Sequence, residues 1–341
     1  MATLLDLRRR VRSVRNIRQI TRAMRMVAAS KLRRTQDRII SSRPYSDKTW
    51  AVMNGLAERA ENRDHPLLRR AERQQHVTVL VISSDKGMCG SFNTHILRRT
   101  DTALQSWQDQ AVQLALVGRK AHGYYRKQDW TIGEYWLDLL KEVTFGDAAL
   151  VAAYLIDEFT SGRTDAVYVI YNEFKSVMRQ EVVVEPLLPV VGLRFPEEKI
   201  SAREAARYVA EHQTGAGEAL DDAFEGLSGE IQTLSDIWSE GKNAAQEVAN
   251  MEPVELSDYI YEPNPETILG NLLPRHVEVQ VFRAMLESIS SEHAARMTAM
   301  ENASRNADEL IDDLTLTMNK IRQEEITTEI LEVVGGAEAL K

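Results

Sequence analysis

Apolar residues near the start of the chain recur at steps of three and four, which places them in one stripe along an α-helix. The stripe consists of Leu4, Leu7, Val11, Val14, Ile17, Ile20, Met24 and Val27. Because neither Gly nor Pro precedes Pro44, the pattern predicts an unbroken helix over residues 3–43 that Pro44 ends or kinks. The three-residue steps from Val14 to Ile20 predict a local shift in register, as in a coiled-coil stammer.

A second long helical pattern occupies the end of the chain. Its seam positions keep a step near 3.5, the coiled-coil period. They are Phe282, Leu286, Ile289, His293, Met297, Met300, Ala307, Ile311, Leu314, Met318 and Ile321. No Pro follows Pro274 and the next Gly is Gly335, which predicts a helix from about 276 to 334. Two such helices at opposite ends of one chain are predicted to pair antiparallel.

Charges on the two helices are complementary. The first carries Arg8, Arg9, Arg10, Arg12, Arg15, Arg18, Arg22 and Arg25, and the last carries Asp308, Glu309, Asp312, Asp313, Glu324, Glu325 and Glu329. Opposite charges along paired helices select partner and register more than they add stability. The arginines outnumber the core-facing acids, so this pairing alone does not account for all of them.

The middle of the chain has a different pattern. Short apolar, β-branched runs predict strands at 77–83, 112–118, 166–171 and 181–188. Helical patterns at 93–107 and 145–159 lie between them, and this alternation predicts a parallel-type α/β sheet.

Four segments are therefore expected. They are a coiled-coil helix over 1–60, an α/β domain over 76–192, an acidic and partly helical insert over 195–255, and a second coiled-coil helix over 265–341. The insert is interpreted either as a regulatory arm or as a solvated helical excursion without a role.

Little in the sequence points to chemistry. The run "SSDKGMCGSFN" at 83–93 has two glycines but matches neither nucleotide-loop pattern, so we predict a tight turn with Asn93 or Thr94 capping the next helix. Cys89, the one cysteine, is expected to be a small buried residue. The seven histidines show no metal-ligand spacing, and we predict no cofactor.

Three classes of function stay open on the residues alone. The first is a non-catalytic coiled-coil subunit, the second a nucleotide-dependent α/β enzyme, and the third a nucleic-acid-binding coiled-coil protein. The net charge of −9 argues against the third class.

Three stretches resemble the gamma subunit family of F-type ATP synthases. "ITRAMRMVAASKLRRTQDR" with "SRPY" is similar to the family's N-terminal helix, "SSDKGMCGSFN" to its first β-turn, and "ITTEILEVVGGAEAL" to its C-terminal signature. The resemblance implies a coiled coil of the terminal helices with a central Rossmann-like α/β domain. It also implies a rotor shaft that performs no catalysis and holds no nucleotide.

The resemblance further implies partners, location and contact residues. The partners would be the alpha and beta subunits, the epsilon subunit and the c-subunit ring, on the cytoplasmic side of the cell inner membrane. Shaft contacts with the catalytic ring would be Met24, Arg322, Gln323 and Thr327. Foot contacts would be Tyr259, Tyr261 and Glu262, and the apolar tip would run from Val333 and Val334 to Leu340.

Overall fold

The computed structural model describes residues 4–59, 65–71, 73–193 and 264–339. The described part contains long helices at both ends and an α/β arrangement between them. The helices are α1 (Leu4–Arg59), α2 (Phe92–Ser106), α3 (Arg119–Tyr125), α4 (Phe145–Thr160) and α5 (Pro265–Ala339), and the strands are β1 (His76–Ile82), β2 (Ala111–Val117), β3 (Thr131–Trp136), β4 (Ala166–Phe174) and β5 (Gln180–Leu188). Short 3-10 turns occur at Pro66–Leu68 and Leu139–Lys141. The predicted insert at 195–255 lies outside the described residues.

The five strands form one mixed sheet in the order β3-β2-β1-β4-β5. β1 pairs in parallel with both β2 and β4, β2 pairs in parallel with β3, and β5 pairs antiparallel with β4. The four predicted strands are confirmed, and the expected parallel-type arrangement holds for β1 to β4, with β5 added antiparallel at the edge. The short turn around Ser176, where β4 ends and β5 begins, allows only a hairpin, because a parallel connection needs a dozen or more residues.

The sequence analysis missed β3 because its side chains do not form an apolar run. This strand lies at the edge of the sheet, and most of its residues are exposed. An added Cβ at Gly133 would lie 2.4 Å from the hydroxyl of Tyr154, so that side chain would have to move to accommodate it. Edge strands need little hydrophobic periodicity, so the pattern that identifies central strands fails there.

The core of the α/β part lies between the sheet and its helices. β1 is buried at six consecutive positions after His76, as expected for a central parallel strand. Ile96 and Leu104 of α2 and Tyr125 of α3 pack on the same cluster as Leu114 and Leu116 of β2. On α4, Thr144 and Asp147 form a reciprocal capping box.

Both terminal helices continue through a proline. α1 extends past Pro44 to Arg59, so that Pro44 does not end the helix. α5 begins at Pro265, before the predicted start near 276, and includes Pro274. Asn264 accepts a hydrogen bond from the Thr267 backbone N–H at 2.8 Å, so the sequence Asn-Pro provides an N-cap followed by a proline in the first turn.

The chain divides into two compact units. The first comprises Met1–Pro44, Arg70–Pro189 and Val277–Lys341, and so contains most of both long helices and the whole sheet. The second comprises Tyr45–Arg69 and Val190–His276. Within the second unit the rings of Trp50 and His276 lie 5.0 Å apart, and burial lowers the pKa of His276 to about 4.

Candidate functional site

The most buried line of side chains on α1 follows a strict alternation of four- and three-residue steps. It comprises Leu7, Val11, Val14, Arg18, Thr21, Arg25, Ala28, Leu32, Thr35 and Ile39. This is the heptad spacing of a coiled-coil seam. The seam is apolar at its start, polar from Arg18 to Arg25, and mainly apolar again from Ala28.

The predicted stripe is wrong at Ile17, Ile20 and Val27. Ile17, Ile20 and Val27 are 51%, 58% and 57% exposed, and the burial pattern shows no register shift between them. The heptad continues through arginine and threonine instead, because a long arginine side chain can place its stem in the seam and its charge outside it. An apolar face on α1 is thereby turned outward, and Met24 is half-buried beside it.

Polar contacts join the two helices along this stretch. Thr21 and Ser304 lie 2.7 Å apart through their buried hydroxyls, Arg25 pairs with Glu301, and both Arg18 and Arg22 pair with Asp308. The positions on α5 fall as those on α1 rise, so the helices run antiparallel. The hydrogen bond from Arg18 lowers the pKa of the Asp308 carboxyl.

The Thr21–Ser304 contact gives a first prediction. Thr21→Val alone should destabilise the chain by about 1 kcal/mol, since it leaves the buried Ser304 hydroxyl without its partner. Ser304→Ala alone should cost less, since the Thr21 hydroxyl keeps its hydrogen bond to the Arg18 carbonyl. The double variant should cost clearly less than the sum of the single changes. Urea unfolding of the four chains measures this coupling, and strictly additive losses would contradict a shared hydrogen bond.

The seam of α5 is confirmed where it was predicted. Met300, Ala307 and Ile311 are buried, and Met297, Leu314, Met318 and Ile321 are half-buried. Ser304 occupies a buried seam position that the sequence analysis left out because it selected apolar residues only. Glu301 follows the seam residue Met300 and flanks the seam, so the strict heptad spacing could have identified Ser304 but not Glu301.

The last part of α5 is exposed on every face. The described side chains from Arg322 to Val334 are all solvent-exposed, including the apolar Ile326, Ile330 and Val333. Arg322, Gln323 and Thr327 therefore lie on an unpaired stretch of helix, where the Thr327 hydroxyl donates to the Gln323 carbonyl at 2.8 Å. Tyr259, Tyr261, Glu262 and Leu340 lie outside the described residues.

The loop at 83–93 joins β1 to α2 and is held by its own side chains. The Asn93 amide oxygen accepts from the Ser84 backbone N–H at 3.2 Å, and the Asn93 amide N–H donates to Cys89 Sγ at 3.1 Å. The capping prediction is wrong, because Ser91 is the N-cap residue of α2 and Asn93 binds back to the loop. The expectation of a tight turn holds, with Gly90 at φ 56°.

Cys89 is buried, as predicted. Burial raises the pKa of its thiol, and the neighbouring Glu292 carboxylate raises the pKa further. A thiol with a raised pKa is a poor nucleophile at neutral pH.

α5 lies across the carboxyl ends of the central strands. The Ser288 hydroxyl donates to the carbonyl of Ile82, the last residue of β1, at 3.3 Å, and the Ser291 hydroxyl donates to the carbonyl of Asn172 on β4 at 3.1 Å. Farther along, the Arg296 guanidinium donates to the Gly87 carbonyl at 3.2 Å and pairs with Glu292. Open α/β sheets bind their ligands at the carboxyl ends of such strands, and here α5 occupies that position.

His293 packs into this junction, as the sequence analysis expected for a seam histidine. Its ring nitrogen Nδ1 lies 3.4 Å from the Arg296 guanidinium. Burial, together with the positive charges of Arg296 and Lys31, lowers the pKa of His293 to about 4. The imidazole is therefore neutral at pH 7.

The described residues contain neither a metal-binding cluster nor a membrane-spanning helix. Among them, no group of three or more His, Cys, Asp or Glu side chains is placed to bind a metal ion. None of the described helices combines the length and the apolar character needed to cross a membrane.

Comparison with known proteins supports one assignment. The family described as ATP synthase matches residues 3–340. The ATP synthase gamma chain of Anaeromyxobacter sp. (strain Fw109-5) is 39% identical over 347 residues, and that of Pelotomaculum thermopropionicum is 35% identical over 343 residues, each alignment covering 100% of both proteins.

Solved structures agree in fold. A chain of the Euglena gracilis mitochondrial ATP synthase, from the structure of its OSCP, F1 and c-ring, superposes with a TM-score of 0.60 at 22% identity, covering 99% of this chain and 94% of that one. A chain of the Tetrahymena thermophila central stalk and c-ring superposes with a TM-score of 0.53, covering 84% and 99%. Since the family match and the gamma-chain alignments both extend over essentially the full sequence, this chain belongs to the ATP synthase gamma chain family.

Proposed function

We propose that this chain is the central shaft of an F-type ATP synthase, the rotating part that couples proton-driven turning of a membrane ring to ATP synthesis. The chain itself performs no catalysis in this proposal. It acts by pressing on the catalytic beta subunits of a surrounding ring, each of which meets a different face of the shaft at any moment.

The proposed action is a mechanical population shift. An asymmetric shaft favours a different conformation in each of three identical beta subunits, and these conformations differ in their affinity for ADP and ATP. Such a shaft must resist twisting, which a paired antiparallel coiled coil does better than a single helix. It must also avoid deep, specific docking, because docking would hold it at one angle.

The outward apolar face of α1 is the observation that most supports this proposal. Ile17, Ile20 and Val27 are exposed along the part of α1 where the seam itself is polar, from Arg18 to Arg25. Apolar side chains that lie outside the seam are suited to contact a surrounding protein. The exposed arginines of α1, such as Arg12 and Arg15, would meet acidic loops of that protein as screened, mobile contacts.

Individual contacts are part of the proposal. Met24 and, on the exposed end of α5, Arg322, Gln323 and Thr327 would touch the catalytic ring. Val333, Val334 and Leu340 would form the apolar tip held in a bearing of that ring.

The foot of the shaft is proposed from the resemblance alone. Tyr259, Tyr261 and Glu262 would meet the epsilon subunit and the c-subunit ring. The chain would then be a peripheral component on the cytoplasmic side of the cell inner membrane.

Co-purification tests the proposal. A tagged full-length chain, co-expressed with its alpha and beta subunits, should retain both on a column. Ile17→Ser/Ile20→Ser should weaken this retention by about tenfold or more, because covering one isoleucine contributes about 1.5–3 kcal/mol. Titration of the immobilised chain with the alpha–beta ring measures the affinity.

The matched control is Leu150→Ser, which alters an exposed leucine on α4 instead of the shaft. It should leave the affinity for the ring unchanged. Failure of the unmodified chain to retain alpha and beta subunits would overturn the proposal. Equal affinities for the isoleucine and leucine variants would remove the outward face of α1 from it.

A further inference from the structure

We propose that Ser288 and Ser291 of α5 form a joint that fixes the α/β domain to the shaft, and that the turning force passes from the domain into the shaft through this joint. The inference rests on the proposed function, since a joint of this kind matters only in a chain that turns. It makes Ser288 and Ser291 positioning residues, which hold the sheet against the part of α5 that lies far from the exposed end of that helix.

The two hydroxyls connect α5 to two neighbouring interior strands of the sheet. Ser288 donates to the carbonyl of Ile82 on β1 and Ser291 to the carbonyl of Asn172 on β4, at 3.3 Å and 3.1 Å. Both side chains are buried, and β1 and β4 are neighbouring parallel strands. A force on the sheet therefore reaches α5 at two points on adjacent strands.

Small residues around these serines bring α5 close to the strand ends. Ala284 and Ala294 are buried on the same helix, together with Ser288, Ser290 and Ser291. A hydroxyl can reach a strand carbonyl directly only where the helix backbone approaches closely. The position is the one at which an open α/β sheet ordinarily takes a ligand, so α5 fills the place of that ligand.

The division of the chain is consistent with a stiff joint. The sheet and residues 277–341 belong to one compact unit, together with the first part of α1. Transmission of a turning force requires sheet and shaft to stay together in this way.

The neighbouring Ser290 provides a matched control within the same turn of helix. It is as buried as Ser291, with both side chains at 0% exposure, but its hydroxyl donates at 2.9 Å to the Leu286 carbonyl of its own helix. A change at Ser290 therefore tests burial and packing without touching the sheet.

The experiment measures coupling in the complete ATP synthase, carried in inverted membrane vesicles. The readout is the number of protons transported per ATP hydrolysed, against an increasing opposing gradient. The variants are Ser288→Val/Ser291→Val, the double threonine variant Ser288→Thr/Ser291→Thr, whose side chains have the shape of valine, and Ser290→Val. Thermal unfolding of each complex is recorded alongside.

We expect the double valine variant to transport about threefold fewer protons per ATP under load, because both hydrogen bonds between α5 and the sheet are lost. The double threonine variant adds the same volume but keeps the hydroxyls, so it should couple like the unmodified protein. Ser290→Val should also couple normally, even if its melting temperature falls.

Equal coupling in all variants, with normal transport by the unmodified complex, would overturn the joint and leave the proposed function intact. Absence of transport or assembly with the unmodified chain would overturn the proposed function instead. If the double valine variant fails to assemble, the single variants Ser291→Val and Ser291→Thr replace the double variants in the comparison. Equal coupling of these two single variants would overturn the joint.

Discussion

Gly118→Ala is expected to destabilise the chain by at least about 3 kcal/mol, since it combines a strained backbone with a steric clash. Gly118 follows β2 with φ at 97°, a conformation that residues with a side chain rarely adopt. An added Cβ would lie 2.4 Å from the Ser83 carbonyl oxygen and 2.8 Å from the Ser83 hydroxyl. Because Ser83 directly follows β1, the change should also disturb the strand end that α5 covers.

Thermal unfolding of the full chain measures this effect, and a fall in melting temperature of roughly 10 °C is expected. Gly123→Ala is the matched control, because Gly123 lies in α3 and an added Cβ meets no atom within 4 Å. The control should stabilise the chain by about 0.5–1 kcal/mol, the helix preference of alanine over glycine. Similar melting temperatures for the two variants would show that the turn after β2 accommodates a side chain.

His293→Gln is expected to make the chain markedly less sensitive to acid. The pKa of His293 is about 4 in the folded chain, against 6.5 for an unperturbed histidine. As the pH falls below 6.5, the unfolded chain binds a proton that the folded chain refuses, so folding loses stability until the pH reaches about 4. Between pH 6.5 and pH 5 this loss amounts to about 2 kcal/mol.

Urea unfolding at pH 7.5 and pH 5.0 measures how much folding stability each chain loses between the two pH values. Above pH 6.5 the histidine is neutral in both states, so the variant should show only the cost of altered packing there. At pH 5.0 its deficit relative to the unmodified chain should shrink or reverse. A constant difference between the two chains at both pH values would contradict a buried, neutral His293.

Central strands and long helices could be predicted from the sequence because their patterns have a direct physical cause. A strand covered on both faces is apolar at nearly every position, and β1 shows this over six consecutive residues. Helix length followed from the absence of breakers, although Pro44 and Pro274 lie inside their helices. The edge strand β3 was missed because solvent exposure removes the periodicity on which such predictions depend.

In the shaft seam, the residues predicted from the apolar pattern differ from the residues that are buried. Selecting apolar residues gave Ile17 and Ile20, whereas the seam contains Arg18 and Thr21, which are matched by Asp308 and Ser304 on the other helix. Apolar residues identify the face that is buried inside the chain only where no other apolar face of the same helix is turned outward. An apolar side chain has the same chemistry on either face of a helix, so the sequence pattern does not tell which face enters the seam.

The sequence by itself determined the two long helices, their antiparallel pairing, the central strands and the family to which the chain belongs. Only the tertiary structure decided which face of α1 enters the seam, which acids the arginines meet, and that α5 lies on the carboxyl ends of β1 and β4. The physical reason is the separation along the sequence of the groups that interact. Helix and strand patterns depend on neighbours within a few residues, whereas the contacts of Ser288 and Ser291 join groups 206 and 119 positions apart.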